Sequence, residues 1–293
     1  MTDETSQPSD EPARAAERRP ALALVANLLI PPVGHFYVGA ARRGVLLGLA
    51  VRAITAASVL PILIVPGLAS MVAALLVAIA MTLVMVVDGV VLARRERHGY
   101  RPRSYNRWYV YVGVAALSLA LGSVLSTAIR TQIKAYRMPA ASMSPTLLDG
   151  DYFFADRTPG RRLEPHRGDV IVFPYPGDPT KDFAKRVIGL PNDVIEIKDK
   201  RVSVNATALH EPYVVYADSS VRPRDLDPRD NFGPYLLGPD QLFVMGDNRD
   251  NSNDSRYWGP LHRRAVRGKA IVIYWSWDKE KASVRWGRIG VRL

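Results

Sequence analysis

The chain changes its pattern of apolar and polar positions near the middle. Long apolar runs carry the first half, and short alternations of apolar and polar residues carry the second. Ala21 to Gly39 is apolar but broken by Pro31, Pro32 and Gly34. It closes on His35-Phe36-Tyr37, a group of the kind that gathers at membrane interfaces. This pattern fits a span or a re-entrant turn equally and does not choose between them. Val45 to Val65 and Met71 to Ala93 are each long enough to cross a bilayer, which takes roughly 20 residues, and Pro66-Gly67 supplies a turn between them. Arg52 and Asp88 lie inside these runs and are expected to snorkel or to pair with each other. Tyr109 to Ile129 is a last span, entered through Trp108, Tyr109 and Tyr111.

From Asp151 onward the period is two. Tyr152–Ala155, Val170–Phe173, Val194–Ile197, Val202–Val204, Leu242–Met245 and Ala270–Tyr274 are predicted strands, and Lys198-Asp199-Lys200 is a predicted hairpin turn. Tyr213 to Asp240, rich in Pro, Asp and Arg, reads as a long excursion over the surface. No helix of useful length is visible there. The fold class expected is membrane helices followed by an all-β domain.

Charge orients this arrangement. Arg42 and Arg43 flank one span, and Arg94, Arg95, Arg97, Arg101, Arg103 and Arg107 fill one loop, so both are expected on the cytoplasmic side. The last span then delivers whatever follows it to the outer face. The predicted division is a disordered polar tail at 1–19, a multi-span membrane module at 20–93, a cytoplasmic basic loop at 94–107, a final transmembrane helix at 108–130 and an extracytoplasmic β-rich domain at 131–293. The tail is no signal peptide, because no small-residue cleavage site follows its basic end. The net charge of +11 in 293 residues would suit nucleic acid. The basic residues sit beside apolar runs, however, so the partner expected is the lipid bilayer and not nucleic acid. With no cysteine, disulfides, zinc thiolate sites and thiol nucleophiles are excluded.

Three stretches carry candidate chemistry. In Met138 to Asp151, Pro139 and Pro145 hold the backbone extended on either side of Ser142, which is thereby presented rather than buried. In Asp182 to Asp193, Lys185 lies between apolar neighbours in a strand, with Arg186 on the other face. A lysine facing inward loses its hydration, its pKa falls, and a neutral amine becomes available as a base; the Arg186 charge is expected to push the same way. Gly246 to Gly259 follows an apolar strand and is crowded with Asp, Asn and Ser. It lacks the glutamate and glycine of an EF-hand loop, and Arg249 and Arg256 among its aspartates predict ion pairs instead of a calcium site. A Ser-His-Asp hydrolase finds no motif around His35, His98, His166, His210 or His262. Ser276 to Lys279 has the Ser-x-x-Lys spacing but no Lys-Thr-Gly companion.

Together the three stretches resemble the type I signal peptidase family, the membrane-bound serine endopeptidases that remove signal peptides from exported proteins. The likeness rests on Ser-Met-Ser-Pro-Thr-Leu at 142–147, Lys-Arg-Val-Ile-Gly-Leu-Pro at 185–191 and Gly-Asp-Asn-Arg-Asp-Asn-Ser at 246–252. Arg167-Gly168-Asp169-Val170 and Arg288-Ile289-Gly290 add to it. The resemblance implies a β-rich fold with an apolar surface against the membrane, in the bacterial cytoplasmic membrane. It implies Ser142 as nucleophile, Lys185 as general base, Ser252 orienting the lysine amine and Asp254–Arg256 as a supporting ion pair. No metal or cofactor is implied, and the substrates are preproteins cut after Ala-x-Ala ends. Tyr136, Met138, Ala140, Met143, Leu147, Phe183 and Ala184 flank the dyad as candidates for the pocket wall. One departure stands out. The family usually has a serine two residues before the nucleophile, whose hydroxyl helps bind the oxyanion; here that position is Ala140, which leaves the Ser142 N–H as main donor and Ser144 and Thr146 as the nearest hydroxyls. Residues 20–93 are not explained by the resemblance. A self-cleaving Ser-Lys membrane regulator and a catalytically degenerate membrane-anchored β module remain as alternatives.

Overall fold

The computed structural model describes residues 18–58, 68–96, 100, 103–158 and 164–293. The expected tail up to residue 17, the turn at Pro66-Gly67 and part of the arginine loop fall outside them. Two compact units divide the described residues: the first holds 18–58 and 72–126, the second 68–71 and 127–293.

The first unit is helical: α1 is Pro20–Leu29, α2 Val33–Tyr37, α3 Ala41–Ala57, α4 Leu68–Arg95 and α5 Trp108–Gln132. Pro20 opens α1, where its missing N–H costs nothing, and Pro31-Pro32 ends it, since the residue before a proline avoids helix. At 10 residues α1 is about 15 Å long, half the thickness of a bilayer core. Residues 21–39 therefore form two short helices, neither long enough to cross a bilayer by itself. Among the described residues one helix, Ala69–Arg95, is long and apolar enough to cross a membrane. Its Leu75 and Leu76 are about 60% exposed, which water would penalise and lipid would not.

Two expectations about this unit are corrected. Arg52 and Asp88 do not pair. Arg52 donates to the carbonyls of Gly48 and Pro31, at 3.2 Å each, whereas Asp88 accepts from Arg43 and faces His35 Nε2 at 3.0 Å. His35 and Phe36 are buried and do not form an interfacial belt. The cause is a polar stack inside the unit, in which Asn27 meets His35 Nδ1 at 3.1 Å and donates to the carbonyl of Met85.

The second unit is built on two sheets. The strands are β1 Ile133–Arg137, β2 Asp151–Asp156, β3 Val170–Tyr175, β4 Asp178–Gly189, β5 Val194–Lys198, β6 Arg201–Val204, β7 Thr207–Ala208, β8 Phe232–Leu236, β9 Gln241–Met245, β10 Leu261–His262, β11 Gly268–Asp278 and β12 Ser283–Val284. The larger sheet runs β1-β2-β11-β3-β4-β9-β10, with β12 on β11, and the smaller runs β7-β6-β5-β8. Every pairing between these strands is antiparallel. From Ile133 onward the one α-helix among the described residues is α6, Ser255–Trp258.

Alternation explains the central strand β3. Val170 and Val172 face a core with Met143, Leu147 and Phe153, while Ile171 and Phe173 face another with Val187 and Val244. All six predicted strands are present. The Lys198–Lys200 hairpin is present too, with Asp199 and Lys200 at φ of 47° and 69°. The excursion at 213–240 is corrected in part. It contains β8, and Arg229 and Asp230 within it are buried as an ion pair with Nη2 and Oδ2 2.7 Å apart.

Candidate active site

Ser142 sits in a single 3-10 turn, Ala141–Met143, between extended residues on either side. Met143 and Leu147 drop into the core below it, so the hydroxyl of half-buried Ser142 is left on the surface of a cleft. Lys185 comes from β4, where it is opposite Ile171 of β3. Only 2% of it is exposed, and its Nζ lies 2.6 Å from Ser142 Oγ. Burial brings the amine down to about 8. Asp254 pulls it up in part, and Arg256 pushes it down again. The neighbouring cation is thus Arg256, not the expected Arg186.

Arg186 points the other way, as the next residue on a strand must. It grips buried Asp247 with Nε at 2.8 Å and Nη2 at 2.6 Å, and its Nη1 donates to the Gly168 carbonyl. Thr146 Oγ1 donates to the same carboxylate at 2.5 Å. This pair ties β4, the loop after β9 and the segment behind the nucleophile into one block. The loop adds two further ties. Asn248 N–H donates to the Ser142 carbonyl at 3.1 Å, and Asn248 Nδ2 donates to the Ala141 carbonyl at 3.2 Å. Gly246 has no room for a side chain, because a Cβ there would collide with Ser252 Oγ and the Ser142 carbonyl.

The expected Asp254–Arg256 pair is present. Arg256 Nε and Nη2 each lie 2.8 Å from a carboxylate oxygen of fully buried Asp254. Burial pushes the Asp254 carboxyl up, but the Arg256 charge and hydrogen bonds outweigh it and hold the group below the usual carboxylate range. Arg256 also donates to the carbonyls of Arg229 and Arg249, and Asp254 caps α6. Ser252 is buried beside Gly246, next to the Asp254 carboxylate, and no hydrogen bond joins it to Lys185.

The cleft at the dyad has a volume of about 300 Å³. Of the expected wall, Met138, Ala140, Phe183 and Ala184 line it. Tyr136, Met143 and Leu147 do not; they belong to the core cluster, with Tyr136 stacked on Phe153. The register of β1 and β2 turns Tyr136 inward, and that pairing is tertiary. Pro139, Lys181, Asp182, Asn251 and Asn253 also line the cleft and escaped the sequence reading. Asn251 stood inside the motif at 246–252 and Asn253 just after it, which was the available signal. Thr146, engaged with Asp247, is not free to serve an oxyanion.

Antiparallel strands here set a buried lysine against a half-buried serine at the edge of a cleft, and comparison with known proteins gives the class. The description "Signal peptidase, peptidase S26" belongs to a family profile that matches residues 107–275. A signal peptidase I from Pseudomonas fluorescens is 33% identical over 192 residues, covering 52% of this chain and 68% of its own. One from Aquifex aeolicus is 34% identical over 198 residues, covering 49% and 76%. The crystal structure of a signal peptidase I from Enterococcus faecalis matches 36% of this chain and 96% of its own, at 30% identity and a TM-score of 0.30. The chain belongs to the signal peptidase family, peptidase S26. It is a serine endopeptidase of a membrane-associated family.

Proposed function

We propose that this chain removes signal peptides from exported preproteins with a Ser142–Lys185 dyad. Membership of the family implies the removal of signal peptides. The observation that carries the dyad is the 2.6 Å approach of a buried lysine amine to Ser142 Oγ. With a pKa of about 8, the amine is neutral in about a tenth of molecules at pH 7.

Neutral Lys185 takes the proton of Ser142 as its oxygen attacks the scissile carbonyl. The Ser142 N–H meets the oxyanion. The ammonium then protonates the leaving amine, which departs as the new N-terminus of the mature protein, and an ester remains on Ser142. Water, deprotonated by the same lysine, releases the signal peptide as its carboxylate. Ser252 keeps the orienting role that the resemblance implies, its hydroxyl buried in the loop that also carries Asp254. None of these steps calls on a metal or cofactor.

Specificity for small residues follows from a shallow wall of Met138, Ala140, Phe183 and Ala184. Residues 182–185 of β4 pair with β3 on one side, and β9 takes up only Arg186 to Gly189 on the other. That free edge suits an extended peptide held by main-chain hydrogen bonds. In this reading the helices form a multi-pass anchor in the bacterial cytoplasmic membrane, and Ser142 faces outward. Exposed Trp275, Trp277 and Trp286 supply the apolar surface that rests on the bilayer.

Cleavage of a preprotein by the purified chain in detergent tests the proposal. Ser142→Ala should abolish processing and Ser144→Ala should retain most of it. The opposite ranking would overturn the nucleophile. Shortening of the chain itself, without preprotein cleavage, would favour a self-cleaving regulator.

A further inference from the structure

The first unit contains a cavity of about 910 Å³, within the size range of small-molecule sites and unconnected with the peptidase chemistry. It lies against α3, the C-terminal part of α4, and Tyr100, Arg103 and Tyr105. Its lining is divided. Arg42, Arg43, Arg103 and Glu96 provide charge, whereas Leu46, Leu47, Val84 and Leu92 provide an apolar wall.

The charged part is built, not accidental. Arg43 is committed to Asp88, and Asp88 is braced from behind by His35 and Asn27, both fully buried. Gly34 and Gly89 admit this brace, since a Cβ at either would strike Asn27. Tyr105 donates to the Gly39 carbonyl, and Asn106 donates to the Phe36 carbonyl at 2.9 Å, which fixes the opposite wall. Arg42 and Arg103 make no ion pair among the described residues. They face a single carboxylate in the lining, Glu96, once Asp88 has been taken up by Arg43.

The apolar part continues outward. Leu83, Val84, Val87 and Val91 of α4 line a neighbouring hollow of about 430 Å³ and are 40–57% exposed. A ligand for this site needs an anionic group of the size of a phosphate at one end and hydrocarbon at the other. We propose that the first unit binds an anionic phospholipid, its phosphodiester held between the forked donors of Arg42 and Arg103 and its acyl chains lying along α4. A soluble phosphate would satisfy the arginines but leave the leucines and valines uncovered. The inference rests only on the membrane placement of this unit, which cysteine labelling tests separately.

Native mass spectrometry of the full chain, released from vesicles of equal phosphatidylglycerol and phosphatidylcholine with matched acyl chains, tests it. The intact chain should retain phosphatidylglycerol in preference. Arg42→Gln with Arg103→Gln should weaken that retention by about 10-fold or more, as expected for two guanidinium–phosphate contacts. Glu96→Gln should strengthen it, and this single surface change keeps the test alive if the double variant loses its helicity by circular dichroism. Equal retention of the two lipids, no response to either set of substitutions, or displacement of the lipid by stoichiometric glycerol 3-phosphate would overturn the proposal.

Discussion

Lys185 carries two opposed demands. Catalysis needs its amine neutral, and burial makes it so at the expense of stability. The folded amine titrates near about 8 and the unfolded one near about 10.5, so the unfolded chain binds more protons between those values. Stability therefore rises with pH across that window, and the full penalty, about 3 kcal/mol, applies below it. Lys185→Met should be inactive yet more resistant to urea at pH 7, with the advantage fading as pH approaches 10.5. In the active chain kcat should fall as pH drops below about 8. Lys185→Arg should be inactive, because guanidinium does not deprotonate in this range. An active arginine variant, measured by preprotein cleavage, would remove lysine from the role of base. Ala140 makes a second residue-scale prediction. With Thr146 committed to Asp247, no hydroxyl from that residue replaces the missing oxyanion donor. Ala140→Ser should raise kcat, by less than the roughly 100- to 1000-fold worth of a well-aimed donor, and change KM little. An unchanged kcat, with a loss of tenfold or more in Ser144→Ala, would show that Ser144 already serves.

At the scale of elements, the site depends on the loop between β9 and α6. That loop holds the Ser142 and Ala141 carbonyls through Asn248 and the Thr146 hydroxyl through Asp247. Asp247→Ala would leave the Arg186 guanidinium buried without its carboxylate, a change that typically costs 3–5 kcal/mol. The midpoint of urea unfolding of the β domain should fall accordingly. Cleavage should fall more than the unfolded fraction explains, since the turn bearing Ser142 loses its backing. Full activity in a destabilised Asp247→Ala chain would separate the pair from catalysis. The Lys185-Arg186 dipeptide shows why neighbours in a strand do different work: one faces Ser142, and the other, on the opposite face, anchors the loop.

Over the whole molecule, the arginine distribution predicts that the helical unit and the peptidase domain expose their polar loops on opposite sides of the membrane. The absence of cysteine makes this directly measurable. Single cysteines at Ser104 and Ser220 should label from opposite sides of sealed vesicles with an impermeant maleimide. Labelling from the same side would reverse the orientation.

The sequence alone was enough for features written locally. Period-two alternation located six strands, because burial of one face repeats every second residue. Three short motifs singled out Ser142 and Lys185 as candidates, and the resemblance they carry pointed to the Asp254–Arg256 pair. Features that require two distant segments to meet were decided only by the tertiary structure. Tyr136, Met143 and Leu147 flank the dyad in sequence, yet β1–β2 pairing and the 3-10 turn send them into the core. Asn251 and Asn253 reach the cleft only because the loop folds back over Ser142. Asp88 lies in the same apolar half as Arg52, but the helical packing gives it Arg43 and His35 as partners. β8 was hidden in a segment rich in proline and aspartate, where composition outweighed a pairing that only β5 could provide. Alternation and motif are properties of consecutive residues. Partners are chosen by packing, and packing is settled across the whole chain at once.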